Sequence, residues 1–370
     1  MRFIGSKEKL LPFIEGIWRR YIGPETVRVG DVFCGTAAVS RLFKQLGNRV
    51  IANDNLRLGY VFAQATLNIN DEPHFERLFA SGEIPKGNGH CLYPTYYDRV
   101  LAFLNDLPGE DGFCFREYSP GGTHRGSYER RYFSDQNARK IDAIRQRLCK
   151  WKQFNLLTEA EFCLLLSNLM RSTNQVANIA GTYGCFLKHW DARAQKTLCL
   201  QRSPIIRSAF DHQVFCKDAN ELVRDTEFDV LYLDPPYTWR HYGAYYHILE
   251  TIACGDHPAI SGRTGLRPWE DSKSRYCDRS DAATALAELV ICANTKHLFL
   301  SYNDEGLISH EQIMETLSTR GHPLCLEIDY RRYRSNNGGS KRNVLKERLY
   351  YVQTQENSKP ERRSSILAYH

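Results

Sequence analysis

Apolar and polar positions along the 370-residue chain switch between a helical period and short β-favouring runs. Leu10, Ile14, Ile17 and Trp18 recur on one helical face, and Gly23-Pro24 ends that helix. Residues 27–33 read as a strand, followed by Gly35-Thr36-Ala37 as a tight turn. Val39, Leu42, Phe43 and Leu46 then stand at i, i+3, i+4 and i+7 of an amphipathic helix closed by Gly47. Val50-Ile51-Ala52 is a second strand, ending at Asn53-Asp54. This β-α-β unit, with a glycine turn and an acid about 20 residues on, has the layout of a Rossmann-type nucleoside site.

From about residue 67 to 195 the pattern changes. Residues 82–120 are rich in glycine, proline and aromatics and read as loop. Ser134 precedes a helix with Ile141, Ile144, Leu148 and Trp151 on one stripe, and Thr158 to Glu161 form a capping box before an apolar helix. Strand–helix alternation returns with Val214-Phe215-Cys216, residues 230–233 and residues 297–301, after which Ser309 caps a helix containing Ile313, Met314 and Leu317. Residues 324–330 and 344–352 read as a closing hairpin. The expected organisation is an α/β domain in two parts, 1–66 and 196–355, interrupted by a mainly helical insertion at 67–195. A polar, disordered tail at 356–370 follows.

Composition adds limits. Hydrophobic residues at 42% and charged residues at 25% are globular values. The formal charge of +6, from 49 basic and 43 acidic residues, permits a polyanionic partner without requiring one. Twelve cysteines occur with no CxxC spacing, which excludes the usual zinc patterns and suits reduced thiols used as small hydrophobes. His241 and His247 lack the neighbours of a metal site, so no metal is expected. No signal peptide and no apolar run of spanning length are visible, so the expected location is the cytoplasm, away from any membrane.

The most informative chemistry follows Val230-Leu231-Tyr232-Leu233, a run that reads as a buried parallel strand. Asp234-Pro235-Pro236-Tyr237 comes next. Proline cannot continue the strand and fixes φ near about −65°. An acid is therefore held at the strand's carboxyl edge, where open α/β sheets bind ligands. Backbone carbonyls beside hydrogen-free proline nitrogens, with the flat Tyr237 ring, suit a planar exocyclic amine such as that of a nucleobase. Tyr242, Tyr245 and Tyr246 follow closely. One of them is a candidate for the pocket wall, the others for packing.

Taken in order, RFIGSK (2–7), DVFCGT (31–36), AND (52–54), KDANEL (217–222), DPPY (234–237) and LSYNDEGL (300–307) resemble the Dam-like, alpha-group DNA adenine-N6 methyltransferases of restriction–modification systems. YFSDQNARKID (132–142) and ANIAGTYGCFLKHW (177–190) resemble family segments within the insertion. The resemblance covers roughly residues 1–352. It implies a Rossmann-like sheet binding S-adenosylmethionine (AdoMet), with the insertion as target-recognition domain. Phe3, Gly5, Asp31, Phe33 and Gly35 would shape the cofactor's approach, Lys7 would meet its carboxylate, Asp54 its ribose hydroxyls, and Asp218 its adenine amine. Lys7 as a solvated charge and Asp218 as a plain helix cap are the blander readings. Asp234 and the Pro235 carbonyl, with Pro236 and Tyr237, would align the N6 amine of an adenine flipped out of double-stranded DNA. A restriction endonuclease would be a functional partner.

One departure stands out. The family usually carries a second glycine where this chain has Ala37. Alanine implies either weaker AdoMet affinity or a slightly different turn. The cluster Tyr330-Arg331-Arg332-Tyr333-Arg334, with Lys341-Arg342 and Lys346, interleaves aromatics and cations at the expected hairpin loop. It fits phosphate contact, with a solvated loop as the alternative. Arg130-Arg131 and Arg139-Lys140 are weaker candidates of the same kind. Cytosine N4 is the nearest alternative target, and a non-catalytic DNA-binding relative is the alternative from another class. C5 chemistry is disfavoured because no Pro-Cys dipeptide occurs.

Overall fold

The computed structural model describes residues 3–85, 93–331 and 344–355. Seven strands form one sheet among these residues: β1 (Arg28–Asp31), β2 (Arg49–Asn53), β3 (Gln213–Phe215), β4 (Glu227–Leu233), β5 (Asn294–Asn303), β6 (Leu324–Arg331) and β7 (Val344–Gln353). Their order across the sheet is β3-β2-β1-β4-β5-β7-β6. β1 to β5 run parallel, while β7 is antiparallel to both β5 and β6. The chain steps outward from β1 to β3 and returns to place β4 against β1. That reversal is a topological switch point, the place where open sheets of this kind bind ligands.

Covered on both faces, the central strands carry apolar runs such as residues 230–233 of β4, and successive residues feed opposite layers. Val230 and Tyr232 of β4 join the cluster containing Val29, Phe43, Val50 and Phe299; Leu231 and Leu233 join the other, with Ile51, Leu298, Leu300 and Leu286. The first layer holds the helices Leu11–Tyr21, Ala38–Gln45 and Arg57–Leu67, the second Ala219–Asp225, Ala282–Cys292 and His310–Ser318. The expected stripes are the buried ones: Ile14, Ile17 and Trp18 in the first helix, and Val39, Leu42 and Phe43 in the second.

The chain between helix Arg57–Leu67 and β3 is mainly helical. Ser134 caps helix Asp135–Gln153, and the Thr158–Glu161 capping box opens helix Glu159–Gln175. Residues 82–120, expected to be loop, instead contain helices Tyr96–Asp106 and Phe113–Tyr118. The reason is visible afterwards. Thr95 caps the first by accepting from the Asp98 amide, and Tyr97, Val100, Leu101 and Leu104 are its buried stripe. Asp142 secures the second by accepting from the Cys114 and Phe115 amides at 2.8 and 2.7 Å. The buried residues of these helices belong to the same apolar cluster as helix Arg57–Leu67, so they extend the layer over the sheet.

The basic pairs of this segment act as internal staples. Arg130 donates to the carbonyls of Glu117, Gly262 and Arg263, and Lys140 to those of Asn105 and Leu107. Arg139 pairs with Asp111, and Arg131 with Glu129. Arg130 and Lys140 are thus tied to backbone carbonyls, while Arg131 and Arg139 remain 41% and 38% exposed in their ion pairs. No helix among the described residues is long and apolar enough to cross a membrane.

Candidate active site

One cavity of about 1050 Å³, measured to its open mouth, lies over the carboxyl ends of β1, β2 and β4. Phe3, Gly5, Lys7, Asp31, Phe33, Gly35, Asp54, Asp218, Asp234, Pro235, Pro236 and Tyr237 all line it. Residues separated by more than 230 positions are therefore brought together by the switch point.

The amino-terminal segment is clasped from one side by tyrosines. Tyr246 Oη accepts from the Ile4 amide at 2.6 Å, and Tyr242 Oη donates to the Ile4 carbonyl at 3.3 Å. The Phe3 ring stacks on both, 4.2 Å from Tyr246 and 5.7 Å from Tyr242. Gly5 sits at φ +77°, and a Cβ there would stand 2.6 Å from Tyr242 Oη, so only glycine fits. Of the three tyrosines after the DPPY motif, Tyr242 lines the cavity while Tyr246 is fully buried packing.

The β1 and β2 ends carry two acids with different partners. Asp31, fully buried, accepts from Ser40 Oγ at 2.6 Å. Burial raises its pKa to about 7, against the lowering effect of Ser40, with Asp234 and Asp54 adding to the rise. Asp54 Oδ2 accepts from the Gly35 amide at 2.8 Å and Oδ1 from the Leu56 amide at 2.9 Å. Burial brings it to about 6 although both amide bonds pull downward. Each of its oxygens retains a lone pair beyond those bonds. Asn53 ties this corner together, donating to the Val32 and Lys217 carbonyls and accepting from the Lys217 amide. Asp218 is a helix cap: its Oδ1 accepts from the Asn220 and Glu221 amides at 2.8 and 3.2 Å, which leaves Oδ2 outside the cap.

Ala37, the N-cap of helix Ala38–Gln45, itself takes a left-handed conformation, φ 58° and ψ 29°. A left-handed L-residue costs roughly 1–2 kcal/mol.

Beyond β4, Asp234 meets a buried cation. Lys7 Nζ lies 3.1 Å from Asp234 Oδ1, 3.3 Å from Glu347 Oε1 and 5.2 Å from the Tyr237 ring centre. Lys7 is 3% exposed, so the solvated-charge reading fails. Burial works against its charge, but Asp234, Tyr237 and Glu347 outweigh that and hold its pKa well above the ordinary lysine value. Lys7 Nζ thus lies between the carboxylates of Asp234 and Glu347, close to both. For Asp234, burial dominates, Lys7 opposes it and Glu347 adds to it, leaving a pKa of about 6.

Sequence reading missed three contributors. Gly59 makes room for Asp54, because a Cβ there would stand 2.5 Å from Asp54 Cβ and 2.7 Å from Oδ2. Tyr276 walls the cavity edge-on to Phe33 at 5.1 Å. Glu347 belongs to no motif, and only the strand register places it. Of the basic cluster, Arg331 is the last residue of β6, while Arg332, Arg334, Lys341 and Arg342 lie outside the described residues. Lys346 is not in a loop but on β7, paired with Glu327 at 2.9 Å. No group of three or more histidines, cysteines and acids among the described residues is placed to hold a metal ion.

Comparison with known proteins decides the family. The sequence model of the D12 class N6 adenine-specific DNA methyltransferases matches residues 3–316. The chain belongs to that family. This D12-class chain is 38% identical to the modification methylase StsI of Streptococcus sanguinis over 97% of its own length and 52% of the relative's. It is 37% identical to the type II methyltransferase M.FokI of Planomicrobium okeanokoites, over 95% and 52%. Against the type II methyltransferase M.NlaIII of Neisseria lactamica the figures are 36%, 91% and 93%. The chain thus spans about half the length of the first two relatives and nearly all of the third.

Proposed function

We propose that this chain transfers a methyl group from AdoMet to the N6 amine of an adenine flipped out of duplex DNA. The observation that carries the reading is Asp234: an acid lining the cavity at the end of β4, with the buried Lys7 ammonium 3.1 Å from its Oδ1. A carboxylate at the cavity wall retains acceptor lone pairs beyond its contact with Lys7, and these can receive an incoming N–H.

The residues present fit AdoMet. Asp54 offers two acceptor oxygens of suitable pitch for a vicinal diol, Gly35 at φ +51° lets the backbone come close, and Asp218 Oδ2 is available to an adenine amine. Bound there, AdoMet supplies an electrophilic methyl on a positively charged sulfur. The protein's work is then alignment. Asp234 and the Pro235 carbonyl each accept one N6 hydrogen, which turns the nitrogen lone pair out of the purine plane and towards the methyl. The Asp234 carboxylate stabilises the positive charge growing on nitrogen and draws off the proton it must lose. Tyr237 offers the flipped base a face in place of its lost stacking.

The cavity rim suits DNA as well. Trp239, two residues past the motif, is 65% exposed, and the Arg240 guanidinium lies 5.8 Å from both the Trp239 and Tyr245 ring centres. An exposed ring beside a cation offers stacking and phosphate contact together. We assign target recognition to the helical segment 67–195, and phosphate contact to the 331–342 cluster. The names of the relatives support a place in a restriction–modification system. Single-molecule sequencing of DNA from cells expressing the protein tests the reading. N6-methyladenine in one short sequence context is the expected result, and N4-methylcytosine or unmodified DNA would overturn it.

A further inference from the structure

Glu347 stands on β7, opposite Asn303 of β5 and Ile328 of β6, in a strand that adds no residue to the cavity wall. It is nonetheless 6% exposed, with Oε1 3.3 Å from Lys7 Nζ and Oε2 lacking a hydrogen-bond partner among the described residues. Lys7 in turn lies 3.1 Å from Asp234 Oδ1. A carboxylate buried with one ammonium contact is costly to keep for stability alone. Its position also falls beyond the stretch, residues 3–316, that matches the family.

We propose that Glu347 is a positioning residue for methyl transfer, acting through Lys7 on Asp234. The inference rests on the function proposed above. Lys7 and Asp234 alone would sum to zero charge, and a neutral pair stabilises a growing positive charge on the amine poorly. Glu347 returns the cluster to a net charge of −1. It also shares the Lys7 ammonium with Asp234, at 3.3 Å against 3.1 Å, so that the cation is not committed to Asp234 alone. The other ionisable groups facing this cluster are Asp31, Tyr232, Tyr237 and Tyr242. Burial favours the neutral form of Tyr232 and Tyr242, and Asp31 lies outside the trio of Lys7, Asp234 and Glu347 to which the count of −1 refers, present alike in every variant below.

The test uses charge arithmetic in the whole protein. Glu347→Gln keeps the shape and an acceptor for Lys7 but brings the cluster to zero. Its kcat at about pH 8 should fall about tenfold or more, with AdoMet and DNA dissociation constants within about twofold of wild type. The acid limb of its kcat profile should move to lower pH, because a negative neighbour of Asp234 is gone. Lys7→Met with Glu347→Leu restores −1 through Asp234 alone and replaces buried charges by apolar groups, a change that folds usually accept. At saturating AdoMet this double variant should turn over faster than Glu347→Gln, with an acid limb at higher pH. An unmoved limb in Glu347→Gln, or a double variant whose limb lies no higher than that of Glu347→Gln, would show that Glu347 only supports the strand. Titration of the Asp234 carboxyl in unliganded protein, read by NMR of isotope-labelled aspartate, should show the same order of shifts without turnover. Wild-type protein that fails to methylate adenine would instead sink the proposed function, so the two failures are distinct.

Discussion

An alanine at position 59 should weaken cofactor binding while making its own helix a better helix. Gly59 lies within helix Arg57–Leu67, where alanine is favoured over glycine by about 1 kcal/mol. Propensity alone therefore predicts a small gain in stability. Packing predicts the opposite for function, since the new Cβ would stand 2.5 Å from Asp54 Cβ and 2.7 Å from Oδ2, where 3.4–4 Å is ordinary contact. The carboxylate carbon Cγ stands closer still, and because Cβ at the root of the side chain is also inside contact distance, rotation about the Cα–Cβ bond alone does not relieve the clash. Asp54 must retreat by about 1 Å, further than its 2.8 and 2.9 Å bonds from Gly35 and Leu56 can stretch. A hydrogen bond to a charged group contributes about 1.5–3 kcal/mol. Loss of one such bond to the cofactor corresponds to roughly a 10- to 150-fold rise in AdoMet Kd. Calorimetric titration of AdoMet into wild type and Gly59→Ala, with a melting curve for each, gives both numbers. A folded variant whose Kd stayed within about twofold of wild type would refute the argument that Asp54 holds the ribose.

Further outcomes follow from the same geometry. Ala37→Gly should relieve roughly 1–2 kcal/mol of left-handed strain and give back about 0.4–1 kcal/mol to the unfolded chain. The urea midpoint should therefore rise slightly, and a fall would mean that Ala37 is not strained. Because the Asp234 pKa is raised to about 6 and the reaction needs the carboxylate, turnover should decline as pH drops through about 6, where an ordinary aspartate would hold to about 4. A flat profile to about pH 5 would remove Asp234 from the rate. Exchanging segment 67–195 for that of a relative with another target should move the methylated sequence with it; specificity that stayed behind would place the reader elsewhere.

The β-α-β opening, the DPPY strand end and the capped helices were legible because each is local: period, cap and turn residue lie within a dozen positions. Helix Tyr96–Asp106 was hidden because its stripe of Tyr97, Val100, Leu101 and Leu104 sits amid glycine and proline, and composition outweighed period. The cofactor-side acids could be read by order along the chain. Their supports could not. Gly59 matters through an atom it lacks, and the Lys7–Glu347 contact spans 340 positions and exists only through the antiparallel register of β7. Only the fold shows, likewise, that Arg130 and Lys140 donate to backbone carbonyls of distant segments.

Methyl transfer to duplex DNA by wild type and Asp234→Ala, with labelled AdoMet and the product nucleosides separated, tests the central claim most directly. The account predicts label in N6-methyl-2′-deoxyadenosine for the wild type. For Asp234→Ala it predicts none, with AdoMet affinity kept within several-fold because the cofactor has its own acids at Asp54 and Asp218. Label in another nucleoside, or near-normal turnover without the Asp234 carboxylate, would contradict it.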